Sequence, residues 1–272
     1  MLGLFSCAND SANTATKSND STMNVASTST SIKEEPVSYS AGNVNMKGYV
    51  TYDEAKKGPR PIVLVVPEWW GLTNYPRMRA KMLAQMGYLA MAVDMYGDGK
   101  IANNPKEAQD AAMPFYTNPQ MGKERMDAAL AKAKSFPQAD TTQAVAIGYC
   151  FGGSIVLNYA KMGAPVLGVV SFHGGLQGVP PQKGTKAQFL ICQGGADSFV
   201  PQQQVDAFRK SMDSAGVAYT FKVYEGATHA FTNPDATKKG QEFNMPIRYN
   251  GAADTASWND MKAFFAKIIN KK

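Results

Sequence analysis

An apolar run, Ala144-Val145-Ala146-Ile147, leads into Gly148-Tyr149-Cys150-Phe151-Gly152-Gly153, and a helix-compatible stretch, Ser154 to Met162, follows. The order is a strand, one sharp turn and a helix, with a cysteine at the apex. Glycines beside the apex allow strand and helix to approach closely. The pattern is the G-x-S-x-G nucleophile elbow with cysteine in place of serine. Taken alone it is short, and a glycine-rich turn around a buried, inert cysteine is the competing reading.

A thiol nucleophile needs a base, and the base needs an orienting carboxylate. The chain has two histidines, His173 and His229, so the search is brief. Three strand-like runs follow Cys150: Val166 to Phe172, Phe189 to Gln193 and Tyr219 to Tyr224. The second runs into Gly194-Gly195-Ala196-Asp197, and the third into Glu225-Gly226-Ala227-Thr228-His229. Nucleophile, acid and base thus follow three different strands in the order Cys150, Asp197, His229. That is the chain order of α/β-hydrolases, not of chymotrypsin or subtilisin. His173 ends the strand directly after the nucleophile helix, the wrong position for the base, and is read as pocket lining.

With these motifs in place the chain resembles the dienelactone hydrolase family. The matching pieces are Gly148-Tyr149-Cys150-Phe151-Gly152-Gly153, Asp197-Ser198-Phe199-Val200-Pro201, His229-Ala230-Phe231 and Val66-Pro67-Glu68-Trp69-Trp70-Gly71. The resemblance runs from about Val44 to the C-terminus. It implies an α/β-hydrolase fold: a mostly parallel central sheet covered by helices on both faces. It also implies a small ester or lactone substrate. In the family an acidic residue at the position of Glu68 contacts the nucleophile thiol and helps control its ionisation; a structural glutamate bonded to nearby backbone is the alternative.

The remaining expectations for the site follow. His229 assists thiolate formation at Cys150 and protonates the leaving alkoxide, while Asp197 fixes its tautomer. Backbone N–H groups of Phe151 and Trp69 form the oxyanion hole. Trp70, Tyr96, His173, Phe199, Phe231 and Arg248 are candidate substrate contacts. Family members acting on dienelactone hold its carboxylate with arginines, one of them shortly after the catalytic histidine. Here Thr232-Asn233-Pro234 follows, and Arg248 is the nearest later candidate, so a different small ester, thioester or lactone is equally compatible.

Composition agrees with one enzyme domain over residues 37–272. Of 272 residues, 44% are hydrophobic and 18% charged, enough for an ample core. No run reaches the ~20 apolar residues of a membrane span. The net charge of +6 is spread along the chain, so a solvated basic surface is expected rather than nucleic-acid binding. Two histidines without metal-ligand spacing leave too few ligands for a zinc hydrolase, and neither metal nor organic cofactor is expected. A monomer or small homo-oligomer is compatible with all of this.

Residues 1–36 differ in kind. Asn9 to Ser31 is almost entirely Ser, Thr, Asn and small residues, cannot bury a core, and reads as disordered. Lys33-Glu34-Glu35-Pro36 reads as the end of this linker, so deleting residues 1–36 should leave stability unchanged. Leu4-Phe5-Ser6-Cys7 resembles the box that ends a lipoprotein signal. It implies a lipid anchor at Cys7 and a periplasmic or membrane-anchored protein; a plain tail on a cytoplasmic enzyme is the alternative. Cys192, inside the strand Phe189 to Gln193, reads as a buried hydrophobe. In hydrolase strand order it lies two strands, roughly 10 Å, from Cys150, too far for a disulfide.

Helices are expected over Arg77 to Met86, Lys106 to Phe115 and Gln120 to Phe136, the last two divided by Pro119. Further helix faces are marked by Val205, Phe208 and Met212, and by Trp258, Met261, Phe265 and Ile268. Strands are expected over Asn45 to Tyr52, Pro61 to Val66 and Leu89 to Val93. The alternation argues right-handed crossovers. Three functional readings stand at this point: a cysteine-dependent ester or lactone hydrolase, an acyltransferase or thioesterase with the same intermediate, and a non-catalytic binding protein that keeps the fold.

Overall fold

The computed structural model describes residues 31–269. The chain forms β1 (Ile32–Ala41), β2 (Val44–Asp53), β3 (Arg60–Val66), α1 (Asn74–Gln85), β4 (Leu89–Ala92), α2 (Pro105–Thr117), α3 (Pro119–Lys134) and β5 (Ala139–Tyr149). Then come α4 (Phe151–Lys161), β6 (Gly168–Phe172), β7 (Gln188–Gly194), α5 (Gln202–Ser214), β8 (Tyr219–Tyr224), α6 (Ala236–Glu242) and α7 (Gly251–Ile268). The strands make one sheet in the order β1-β2-β4-β3-β5-β6-β7-β8. β1 and β2 are antiparallel to their neighbours, and every pairing from β4 to β8 is parallel. This is the α/β-hydrolase architecture.

The continuous apolar run of β3 is explained by burial on both faces. Ile62, Leu64 and Val66 point into one core, with Met126 and Leu130 of α3, Ile155 and Val156 of α4, and Phe208 of α5. Val63 and Val65 point into the other, with Ala80 and Leu83 of α1 and Met261, Phe265 and Ile268 of α7. β5 alternates the same way, Ala144 and Ala146 to the first core and Val145, Ile147 and Tyr149 to the second. Parallel strands share a direction, so the loops after β3, β5, β6, β7 and β8 all emerge on one edge of the sheet. Ligand sites of open α/β sheets form at that edge.

Three boundaries differ from expectation. Two helices are divided here as expected, but the break falls at Asn118; Pro119 is the first residue of α3, where its missing N–H costs nothing. α6 was not expected, because seven residues give periodicity too little room. The largest difference is at the N-terminal end of the domain. Ile32 to Pro36 belongs to β1, paired residue by residue with Asp53 to Tyr49 of β2. Glu34 meets Arg77 of α1 through Oε1 and Oε2 at 3.0 and 2.9 Å, and Lys81 at 3.0 Å. The charges of Lys33, Glu34 and Glu35 had looked like linker; they are the polar dressing of an edge strand. The lipoprotein-like box at Cys7 and the Ser/Asn-rich run lie outside the described residues.

The position of β1 yields a stability prediction. A chain starting at Val37 loses half of β1 and the Glu34 ion pairs, whereas a chain starting at Ser31 keeps both. The shorter chain should melt at least about 4 °C lower, as expected for a loss of ~2 kcal/mol in a domain of this size. Thermal unfolding of the two truncations measures the difference, and equal midpoints would show that this half-strand adds nothing.

Candidate active site

Cys150 stands at the end of β5, at the N-cap of α4, with φ 53° and ψ −115°. A side-chain-bearing residue adopts such a backbone only when its surroundings enforce it. Here they do. A Cβ on Gly148 would strike the Gly152 carbonyl, and one on Gly152 would strike the Val66 and Pro67 carbonyls. The Cys150 N–H donates to Phe172 O at 3.0 Å and to His173 Nδ1 at 3.1 Å. Half-buried Cys150 faces a cavity of about 420 Å³, within the size range of small-molecule sites.

His229 faces the same cavity from the loop after β8. Its Nδ1 lies 2.9 Å from Asp197 Oδ2, in the loop after β7. Asp197 is fixed in turn: Oδ2 accepts from Gln193 Nε2 at 2.7 Å and Oδ1 from the Phe199 N–H at 3.0 Å. The imidazole lies between two rings, Phe199 with centroids 5.0 Å apart and His173 at 5.2 Å. Burial alone would lower the His229 pKa. Cys150 and the Asp197 carboxylate, both beside the ring, outweigh it and hold the imidazole up at about 10. With Asp197 accepting at Nδ1, the other nitrogen is free to serve the thiol. Cys192 sits on β7, two strands from β5, fully buried, with its thiol pushed up to about 12 by that burial. Cys150 and Cys192 are both free thiols.

The loop after β3 supplies Glu68, Trp69 and Trp70, and all three line the cavity. Glu68 Oε2 accepts from Asn233 Nδ2 at 2.6 Å, and no hydrogen bond joins it to the thiol. Its carboxyl is raised to about 7 by burial, against the pull of the Asn233 amide and of the charges on His229 and Lys239. The Trp69 and Phe151 N–H groups have no hydrogen-bond partner among the described residues. Tyr96 is not a wall of the cavity: its hydroxyl donates to Trp69 O at 2.8 Å, from a loop folded around Asp94. That carboxylate accepts from the N–H groups of Lys47, Tyr96, Gly97 and Gly99.

Of the other expected contacts, Trp70 and Phe199 line the cavity. His173 and Phe231 do not; both are fully buried beneath it, their ring centroids 5.2 Å apart. Arg248 is exposed on the chain beyond α6, where its N–H donates to His229 O. The cavity is also lined by Lys239, whose ammonium lies 4.2 Å from the Trp70 ring centroid. Lys239, Tyr116 and Gln204 had gone unremarked in the sequence, and Asn233 was noted only as part of the arginine-free Thr232-Asn233-Pro234; only the fold brings them in. Among the described residues no group of three or more His, Cys, Asp and Glu could hold a metal ion, and no helix is long and apolar enough to cross a membrane.

Glu68 gives a pH-dependent prediction. Its carboxyl titrates near 4.5 when unfolded and near 7 when folded. Below the lower value both states hold the proton. Between the two the unfolded state releases it first, so stability falls as pH rises, and above about 7 the loss is complete, at roughly 3 kcal/mol. Glu68→Gln keeps an acceptor for Asn233 and removes the charge. It should raise the melting temperature at about pH 8 and leave it unchanged at about pH 4. An equal effect at both pH values would show that the carboxyl is not desolvated.

The comparisons with known proteins agree with this fold. The model of the dienelactone hydrolase family matches residues 46–269. A protein of Methylorubrum extorquens, provisionally named a carboxymethylenebutenolidase, is 32% identical over 190 residues, which span 65% of each chain. The crystal structure of a dienelactone hydrolase-like promiscuous phosphotriesterase from metagenomic libraries superposes with a TM-score of 0.82 at 30% identity, covering 87% of this chain and 98% of that one. An acylaminoacyl peptidase of Pyrococcus horikoshii, 13% identical with a TM-score of 0.66 over 90% of this chain and 43% of its own, shares the fold. The chain belongs to the dienelactone hydrolase family, hydrolases of the ester and lactone type on the α/β-hydrolase fold.

Proposed function

We propose that the protein hydrolyses a small carboxylic ester or lactone through a covalent acyl-cysteine intermediate. The observation that carries this reading is the convergence on one cavity of Cys150, in its strained elbow, and His229, whose Nδ1 lies 2.9 Å from Asp197. The thiolate of Cys150 attacks the carbonyl carbon, and the oxyanion accepts hydrogen bonds from the Trp69 and Phe151 N–H groups. The carbon–oxygen bond then breaks, and His229 gives its proton to the departing alkoxide. Water attacks the thioester, His229 takes a proton from it, and the carbon–sulfur bond breaks to release the acid and the thiolate. In a lactone the alkoxide stays on the acyl chain as a hydroxyl.

The Asp197 carboxylate at Nδ1 supports the base role of His229, since it leaves the other ring nitrogen to take the thiol proton and return it to the departing alkoxide. The walls support the substrate class. Trp69, Trp70, Met113, Val200, Met245 and Ile247 offer apolar surface, suited to an aryl or short acyl group. Lys239 is the lysine or arginine among the lining residues, engaged with Trp70, so carboxylate recognition by paired arginines has no counterpart in this cavity.

A panel of aryl esters, thioesters, lactones and aryl phosphotriesters, run on wild type and Cys150→Ala, tests the reading. Cys150→Ala should lose ester and lactone turnover. Asp197→Asn should lower kcat/KM by about 10²–10⁴, while Asp206→Asn, exposed on α5 with Gln202 as its partner, should be neutral. Iodoacetamide followed by peptide mapping should find Cys150 modified and Cys192 spared. Full esterase activity in Cys150→Ala, or labelling confined to Cys192, would overturn the covalent mechanism.

A further inference from the structure

His173 is fully buried, carries a non-glycine φ of 42°, and stands apart from the proton transfers described above. Its two ring nitrogens nevertheless face two different parts of the site. Nδ1 is 3.1 Å from the Cys150 N–H, and Nε2 is 2.7 Å from Thr232 Oγ1, three residues beyond His229. We propose that His173 is a positioning residue: by joining the Cys150 elbow to the loop carrying His229 through Thr232, it sets the separation of thiol and imidazole. The proposal rests on the assignment of Cys150 and His229 as nucleophile and base.

The direction of each bond follows from the groups involved. A backbone N–H can only donate, so Nδ1 is an unprotonated acceptor. The neutral ring then carries its proton on Nε2, which donates to Thr232 Oγ1. The same oxygen accepts from the Tyr75 hydroxyl at 2.6 Å, and Thr232 O accepts from Arg79 Nη2 at 2.8 Å. Arg79, itself buried, is paired with Asp254 of α7. Thr232 is therefore gripped from α1 on one side and by His173 on the other. The titratable groups around His173 are His229 after β8, Arg79 and Tyr75 of α1, and Tyr149 and Cys150 at the end of β5. None of these is a carboxylate that would favour a protonated ring. Burial first, and then the charges of His229 and Arg79, hold the imidazole neutral, far below its ordinary range.

The topology explains why such a strut is needed. β5 and β8 are separated in the sheet by β6 and β7, three interstrand spacings or roughly 14 Å. Cys150 sits at the end of β5 itself, so His229 faces the same cavity only because the loop after β8 reaches back across the intervening strands. His173 directly follows β6, one of those strands, and bonds to both the Cys150 elbow and the His229 loop.

Thr232→Val removes the hydroxyl at nearly constant volume, and Thr232→Ser keeps it. Both are compared with wild type for kcat and KM on a p-nitrophenyl ester, for the pH profile of Cys150 alkylation by iodoacetamide, and for melting temperature. His173→Phe and Cys150→Ala complete the set. Thr232→Val should lower kcat by about 10–100-fold, as small misplacements of reacting groups do, with KM changed less than about twofold. Its alkylation profile should move to higher pH, because the thiolate loses part of its imidazolium partner. Thr232→Ser should restore both, and His173→Phe should reproduce the loss. A role confined to stability would lower the melting temperature and leave the alkylation profile in place. Wild-type kcat and an unmoved profile in Thr232→Val, or equal impairment in Thr232→Ser, would overturn the proposal. Turnover surviving in Cys150→Ala would instead refute the assignment of the nucleophile, whatever the threonine variants do.

Discussion

The backbone of Cys150 is the constraint on which the rest of the site depends. A φ of 53° with ψ −115° costs a residue with a side chain on the order of 1–3 kcal/mol. It persists because three glycines let four chain segments close around it. Gly148 abuts Gly152, Gly152 abuts the carbonyls of Val66 and Pro67, and Gly153 abuts Ser171 and Gly174. One turn therefore locks the ends of β5 and α4 to the ends of β3 and β6. That contact holds the loop carrying Trp69, after β3, against the start of α4, where Phe151 stands. Under the proposed mechanism, hole and nucleophile would share one packing event.

His229, the base of the proposed mechanism, is not part of that packing, and its loop is tied in separately. The ties are Thr232 and Asn233, consecutive residues just beyond His229. Thr232 reaches His173 under the elbow, and Asn233 Nδ2 donates to Glu68 beside Trp69. One dipeptide thus links the histidine loop to the nucleophile on one side and to the loop after β3 on the other. Glu68 gains a second meaning from this. Burying a carboxyl costs several kcal/mol unless it is bonded or neutralised. Its pKa near 7 and its Asn233 partner are the two ways in which the protein contains that cost. A carboxyl poised near neutrality beside the cavity can also change charge when a substrate displaces water from it.

Most of the sheet was legible in the sequence because parallel strands buried on both faces are written as unbroken apolar runs. Pro61 to Val66 and Leu89 to Val93 match β3 and β4 almost residue for residue. The elbow and the order Cys150, Asp197, His229 were legible because glycine spacing and strand order are linear properties of a chain. β1 was not, since an antiparallel edge strand buries little, and Lys33-Glu34-Glu35-Pro36 carries no apolar signal. The burial of His173 and Phe231 was not legible either. Both follow strand ends as wall residues would, and a position along the chain does not tell whether a side chain points into a cavity or beneath it. Lys239 and Tyr116 enter from helices α6 and α2, whose distance from the elbow is fixed by tertiary packing alone.

The character of the cavity bears on how selectivity arises under the proposed mechanism. A cavity that grips a charged group with paired arginines rejects substrates lacking that group sharply, because its own buried charges would be left unpartnered. This cavity works differently. Its walls are mainly aromatic and aliphatic, and the Lys239 ammonium already rests on the Trp70 ring. Apolar contact contributes about 0.8 kcal/mol for each buried methylene, so discrimination grows in steps with acyl or aryl size. The upper limit is set by volume, since about 420 Å³ must also hold the scissile carbonyl beside Cys150. Orientation comes from the fixed elements, the two N–H groups and the His229 ring clamped between Phe199 and His173. Chemistry and fit are thus separated: the rigid edge of the sheet defines what bond is cleaved, and the softer walls define how large a group is carried to it.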